Sequence, residues 1–114
     1  MSHRIQASEG EWLASHVAGV FGKDLVAFEE GTAKLIRLMP GASYPRHKHP
    51  ARTEYAYVLA GAPTLHVNDT AHAAKPGDFV VFPAATPHAL ENPGAEEALL
   101  FVGAIYHRRP DPAS

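Results

Sequence analysis

An all-β fold, a sandwich or jelly roll, is what this sequence predicts, and three observations carry the reading. From Lys23 onward the chain divides into short segments rich in Val, Leu, Ile, Phe and Tyr, residues that fit a pleated, half-buried surface. Ten prolines and nine glycines separate those segments, as a succession of tight turns requires. Apolar residues fall at helical spacing in a single stretch, near the N-terminus.

In that stretch, residues 8 to 21, Ser8 and Glu11 are spaced as a capping box, and Trp12, Leu13, Val17 and Phe21 lie near helical positions. A short helix is therefore expected. Gly10, Gly19 and Gly22 oppose it, and an extended arm lying over the barrel or over a partner subunit is the alternative. Strands are expected at Leu25 to Phe28, Ala33 to Met39, Glu54 to Leu59, Thr64 to Val67, Asp78 to Phe82, His88 to Glu91 and Ala98 to Tyr106. Pro40-Gly41, Gly61-Ala62-Pro63, Asn68-Asp69, Lys75-Pro76-Gly77 and Asn92-Pro93-Gly94 supply the turns between them. The organisation expected is an N-terminal arm over residues 1–29, a barrel over 30–107 and a flexible tail over 108–114.

Composition removes several classes of function. A chain of 114 residues is one domain by size. Its formal net charge of -2 and the lack of a basic cluster beyond Arg108-Arg109 argue against a nucleic-acid partner. There is no cysteine, which excludes disulfides, thiolate metal sites and a cysteine nucleophile. The longest apolar run, Ala98 to Tyr106, is too short to span a bilayer, and the polar N-terminus lacks the apolar core of a signal peptide. A cytoplasmic protein without a membrane partner is expected.

One spacing carries chemistry. His47 and His49 stand two residues apart, and side chains at i and i+2 of an extended segment project from the same face. Glu54 follows from the next turn or strand, and His88 comes from a distant one. Three imidazole nitrogens and one carboxylate oxygen suit one divalent transition ion, whether Fe, Mn, Ni, Cu or Zn, and do not choose among them. The full blocks are Gly41, five residues, His47-Lys48-His49, four residues, Glu54, six residues, Gly61; and Gly77, five residues, Pro83, then Ala85, His88 and Asn92.

Over residues 30 to 107 these blocks resemble the two motifs of the cupin superfamily. The resemblance implies a double-stranded β-helix, the RmlC-like jelly-roll barrel, with His47, His49, Glu54 and His88 as metal ligands. It also implies a small-molecule ligand or substrate, and a homodimer that covers sheet edges. Ala85 departs from the pattern, standing where the second motif usually has glycine; an alanine at positive φ costs about 1 kcal/mol, so this turn either runs differently or is strained. Some sugar epimerases of the superfamily work without a metal, but all four ligand types are present here, and no His/Asp or Tyr/Lys pair stands out elsewhere. Lys34 to Gly61 also resembles the cupin domain of zinc-binding anti-sigma factors, although no sigma-binding helical domain accompanies it.

Strand alternation sorts the residues around the candidate ligands. Tyr55 and Tyr57 should point away from the metal, and Ala56 and Val58 inward. Tyr44 and Arg46 precede His47 and are placed to reach the pocket mouth, with ordinary surface positions as the alternative. His66 should face solvent while Leu65 and Val67 face the interior; His72 sits in a turn-like segment, and His3, His16 and His107 are surface histidines by default. Phe79, Val81, Leu90 and Phe101 are the expected apolar pocket wall. A dication with one carboxylate ligand keeps positive charge and attracts an enolate, carboxylate or phenolate. The function expected is therefore a metal-dependent enzyme, dioxygenase-like or a lyase/isomerase, acting on a small enolisable or aromatic compound, with Glu54 an optional proton acceptor. A non-catalytic metal- or ligand-binding sensor is the alternative.

Overall fold

The computed structural model describes residues 4–6 and 8–107. Ten strands follow one another: β1 (Leu13–Ala14), β2 (Val20–Ala27), β3 (Gly31–Leu38), β4 (Ser43–His47), β5 (Arg52–Ala60), β6 (Thr64–Val67), β7 (Thr70–Ala73), β8 (Phe79–Phe82), β9 (His88–Glu91) and β10 (Ala98–Tyr106). They form a six-stranded sheet in the order β1-β2-β3-β10-β5-β8 and a four-stranded sheet in the order β4-β9-β6-β7. Every pairing is antiparallel. The order alternates between distant parts of the chain, which is the jelly-roll solution to burying one face of each sheet.

The apolar faces meet between the sheets. Val58 of β5, Leu100 of β10, Leu65 of β6 and Leu38 of β3 are fully buried there, each side chain contributing about 2 kcal/mol by its removal from water. Alternation along β5 puts Ala56 and Val58 inside and leaves Tyr57 exposed, as expected. Tyr55 lies outside as well, stacked on Phe79 at 5.5 Å. Asn92, of the second motif, is buried and fully bonded: its amide donates to the carbonyls of Leu38 and Glu96 and its oxygen accepts from the Gly94 N–H. It thereby satisfies a turn that would otherwise bury unpaired backbone groups.

The expected N-terminal helix does not form; among the described residues there is no helix. Gly10 and Gly19 take left-handed φ of 77° and 78°, which break a helix. Leu13 and Ala14 instead pair with Gly22 and Phe21 as an edge strand, so the extended alternative is the one adopted. Trp12 lies outside the sheet with the Lys23 ammonium and the Arg37 guanidinium each 5.2 Å from its ring, a cation–π arrangement. Two further strands, β4 and β7, run where no strand was expected, and His72 belongs to β7 rather than to a turn. The expected tail, residues 108–114, and His3 lie outside the described residues.

Ala85 has φ of 61°. The turn thus keeps the geometry for which glycine is suited, and the alanine bears the strain. Its N–H donates to the His49 carbonyl at 2.8 Å, so this turn holds the segment that carries a candidate ligand. Ala85→Gly is expected to raise stability by about 1 kcal/mol, since the exposed methyl contributes little packing and the left-handed conformation no longer costs anything extra. A higher urea midpoint with an unchanged slope is the expected reading, and a lower midpoint would contradict it.

Candidate metal centre

His47 and His88 come from neighbouring strands of the smaller sheet, where they are direct register partners on β4 and β9. Glu54 comes from the facing sheet, on β5 beside Ala104 of β10 and Phe82 of β8. His49 lies two residues beyond β4. A register irregularity between Tyr44 and His47 adds one residue to β4 relative to β9, with Tyr44 opposite Leu90 and His47 opposite His88. Such a bulge re-aims side chains, and it turns both Tyr44 and His47 toward the interior although they are three residues apart.

One donor atom from each of His47, His49, Glu54 and His88 lies within 4.8 Å of all the others. With metal–ligand bonds of about 2.1 Å, cis donors stand about 3 Å apart and trans donors about 4.2 Å, so the group closes on an ion with small side-chain movements. The His49 Nε2 is 3.3 Å and the His88 Nε2 3.8 Å from the Glu54 Oε1. The His47 Nδ1–H donates to the Pro45 carbonyl at 2.8 Å and the His88 Nδ1–H to the Thr86 carbonyl at 3.4 Å. These bonds hold each ring in the tautomer that leaves Nε2 unprotonated, the outer support that metal-ligating histidines need. The donor set, its proximity and this orientation all fit a divalent transition ion.

Electrostatics favour the same state. His88 is 5 % exposed, and burial, followed by its neighbour His47, holds its pKa below the ordinary 6.5. Burial also lowers His49, followed by the nearby Arg52 charge. In the metal-free chain these two imidazoles stay neutral after their unfolded counterparts have gained a proton. Their contribution to stability is therefore full above 6.5 and is lost as pH falls from 6.5 through the lowered values. The urea midpoint of the metal-free chain is expected to drop between pH 7.5 and pH 5.5, and less so in His88→Gln; equal drops in the two proteins would contradict this origin.

The four residues line a cavity of about 290 Å³, near the lower limit for small-ligand sites. Ile36, Tyr44, Phe82, Leu90 and Val102 supply its apolar wall, and Leu13 to Ser15 of the N-terminal arm close one side. Of the four residues expected in that wall, one lines the cavity. Leu90 lines the cavity, but Phe79 and Val81 are 58 % and 46 % exposed on the outer face, and Phe101 opposite Tyr57 faces outward with them. The β5–β8 register pairs Glu54 with Phe82 and Ala56 with Val80, so the even-numbered residues of β8 face the interior. Tyr44 reaches the cavity, whereas Arg46 turns out to the Asn68 carbonyl and Asp69. His66 faces away from the cluster and bonds Glu91 at 2.8 Å, and His107 bonds the Thr53 hydroxyl.

Three charged residues of the cavity went unread in the sequence: Asp24, Lys34 and Arg52. For Arg52 a signal was present, since two residues before Glu54 on a strand means the same face. Its guanidinium donates to the His49 Nε2 at 2.7 Å and to the Glu54 Oε1 at 3.2 Å.

A two-sheet jelly roll with three imidazoles and one carboxylate gathered between its layers defines the class. The Cupin domain family model matches residues 34–103, and the chain belongs to that family. Protein SchB of Streptomyces halstedii is 32 % identical over 71 residues, which are 62 % of this chain and 49 % of that protein; the chain spans about half the length of this curated relative. Among solved structures, a predicted oxalate decarboxylase of Thermotoga maritima is 25 % identical with a TM-score of 0.76, covering 84 % of this chain and 90 % of that one. The polyketide cyclase RemF of Streptomyces resistomycificus is 20 % identical with a TM-score of 0.83, covering 96 % and 83 %; at that identity the likeness is one of fold. No helix among the described residues is long and apolar enough to cross a membrane.

Proposed function

We propose that this chain is a metal-dependent enzyme that acts on a small enolisable or aromatic compound, by dioxygenase-like or lyase/isomerase chemistry. The observation that carries the reading is the clustering of His47, His49, Glu54 and His88 in the lining of a small cavity whose other walls are mostly hydrocarbon. A divalent ion held there supplies a Lewis acid with open coordination positions, since four protein ligands leave two places on a six-coordinate ion.

The residues of the chain account for the rest. Two fixed cations, Lys34 and Arg52, and two fixed anions, Asp24 and Glu54, line the cavity, so the sign of the site is decided by the ion. A dication makes it positive and selects an anionic or readily deprotonated ligand. Ile36, Leu90 and Val102 exclude water from the ligand's apolar part. The Glu54 carboxylate, 12 % exposed, is the available proton acceptor at the centre. Oxalate, named in the description of the Thermotoga maritima relative, is likewise a small anion, which supports the same ligand class.

The deciding experiment is elemental analysis of protein purified without a histidine tag, followed by an oxygen-uptake and spectrophotometric screen of enols, diketones and flavonols. Iron, manganese or nickel with turnover that stops on chelation is the expected result. Tightly held zinc with no turnover on any compound would overturn the enzyme reading and leave the sensor.

The same reading includes a homodimer. Tyr57, Leu59, Phe79 and Val81 are between 41 % and 58 % exposed on the outer face of β5 and of the edge strand β8, an uncharged patch of the kind that pairs with its own copy across a two-fold axis. Sedimentation at micromolar concentration is expected to give twice the chain mass, and Phe79→Lys to give one.

A further inference from the structure

The position of Arg52 bears on how the site is loaded. Its guanidinium spans the His49 Nε2 and the Glu54 Oε1, and these are two of the donor atoms that an ion would need. An imidazole nitrogen that accepts a hydrogen bond has its lone pair engaged and offers none to a metal. The 3.3 Å between these two acceptors would set lone pair against lone pair if nothing positive lay beside them. Arg52 supplies that charge in the metal-free chain. It stands where the first motif meets the cavity mouth, its side chain 31 % exposed, so the guanidinium has a route out toward the cavity and solvent without any change in β5.

We propose that Arg52 is a displaceable counter-cation: its guanidinium covers donor atoms that an ion would need, would give them up on metal binding, and would then hold the ligand's anionic end. This rests on the metal-binding reading above. Whatever the two contacts contribute to the metal-free protein is given up on loading, so Arg52 weakens metal binding by the same amount, as linkage demands. Once displaced, the guanidinium cannot leave the neighbourhood, because the side chain is anchored on β5 two residues from Glu54. With two acceptors lost and its donors facing the cavity, its natural partner is a carboxylate or enolate bound beside the ion, which a guanidinium can grip through two parallel bonds. Lys34, on β3 of the same sheet, has Asp24 as its register partner on β2 and is therefore the poorer candidate for this task. Arg52 is in this account a ligand-binding residue whose availability couples occupation by the metal to capture of the anion.

The test uses zinc and benzoate as probes on wild type, Arg52→Gln and Arg52→Lys. Zinc affinity is measured by competition with a chromophoric chelator, and benzoate affinity for the zinc-loaded proteins by calorimetry. Arg52→Gln is expected to bind zinc about tenfold tighter than wild type and to bind benzoate about tenfold more weakly once loaded, the scale of one charge-assisted contact. Arg52→Lys, which keeps the charge but not the planar fork, is expected to lie between on both scales. Melting provides a readout independent of either ligand's chemistry: the metal-free Arg52→Gln should melt below metal-free wild type, and the two loaded proteins should melt alike. Equal or weaker zinc binding by Arg52→Gln, with wild type binding one equivalent, overturns the proposal while the metal reading stands. Benzoate affinity that does not change on substitution overturns its second half. If neither wild type nor variant takes up zinc or another divalent ion, the metal reading has failed and this one with it.

Discussion

His88→Ala is expected to lose the divalent ion, with affinity falling by more than the hundredfold that removal of a mere supporting partner costs a metal site. His88 is the most buried of the three imidazoles and packs at 4.2 Å from the His47 ring and 4.8 Å from Phe82, so no other side chain stands ready to take its place. The ring also fills space, and its loss leaves a small void between the sheets. Stability therefore has to be measured with and without metal. A binding ion at a thousand times its dissociation constant stabilises a folded chain by about 4 kcal/mol. Wild type should thus show a large rise in melting temperature on adding metal and His88→Ala almost none. Equal rises in the two proteins would remove His88 from the site. Acid should have the same effect on wild type as the substitution, since a protonated imidazole has no lone pair to offer; ion retained at pH 5 would argue against histidine ligation altogether.

Gly61→Ala is expected to cost about 3 kcal/mol, the largest loss of stability from any single methyl considered in this chain. Two independent causes add. Gly61 has φ of 84°, where an alanine is strained by about 1 kcal/mol or more. A Cβ built there would also stand 2.7 Å from both the Ala98 Cα and the Glu97 carbonyl oxygen, backbone atoms that cannot turn aside. Gly41, the other motif glycine, separates the causes: its φ is 83°, but a Cβ there meets nothing within 4 Å. Gly41→Ala should therefore cost only the conformational part, about 1 kcal/mol. Urea denaturation of the two variants checks this, and equal losses would show that the close approach at Gly61 is relieved by movement of β10.

How much of this was legible in the sequence varies by element for physical reasons. The expected strands at Thr64 to Val67, His88 to Glu91 and Ala98 to Tyr106 coincide with β6, β9 and β10: the first two are short segments bounded by a proline and an asparagine, and the third is a nine-residue apolar run. β4 escaped notice because Tyr44, Pro45, Arg46 and His47 make neither an apolar run nor an alternating one, and β7 because Ala and Thr are too small to mark a face. The helical spacing of Trp12, Leu13 and Val17 was real, but Gly10 and Gly19 on either side of it take left-handed conformations and favour an extended edge. On β8 all four residues are apolar, Phe79-Val80-Val81-Phe82, so alternation had nothing to distinguish and the inward face could be read only from the pairing with β5.

The candidate site divides in the same way. The identities and spacings of His47, His49, Glu54 and His88, and the left-handed turn at Ala85, are properties of short stretches of sequence, and local chemistry is what a sequence states outright. That β4 gains a residue against β9, that two sheets bring an imidazole pair opposite a carboxylate, and that Arg52 lies across two of the donor atoms were decided by the tertiary structure alone. These are consequences of pairing between strands far apart in the chain, where register depends on the burial of whole faces and not on any one residue.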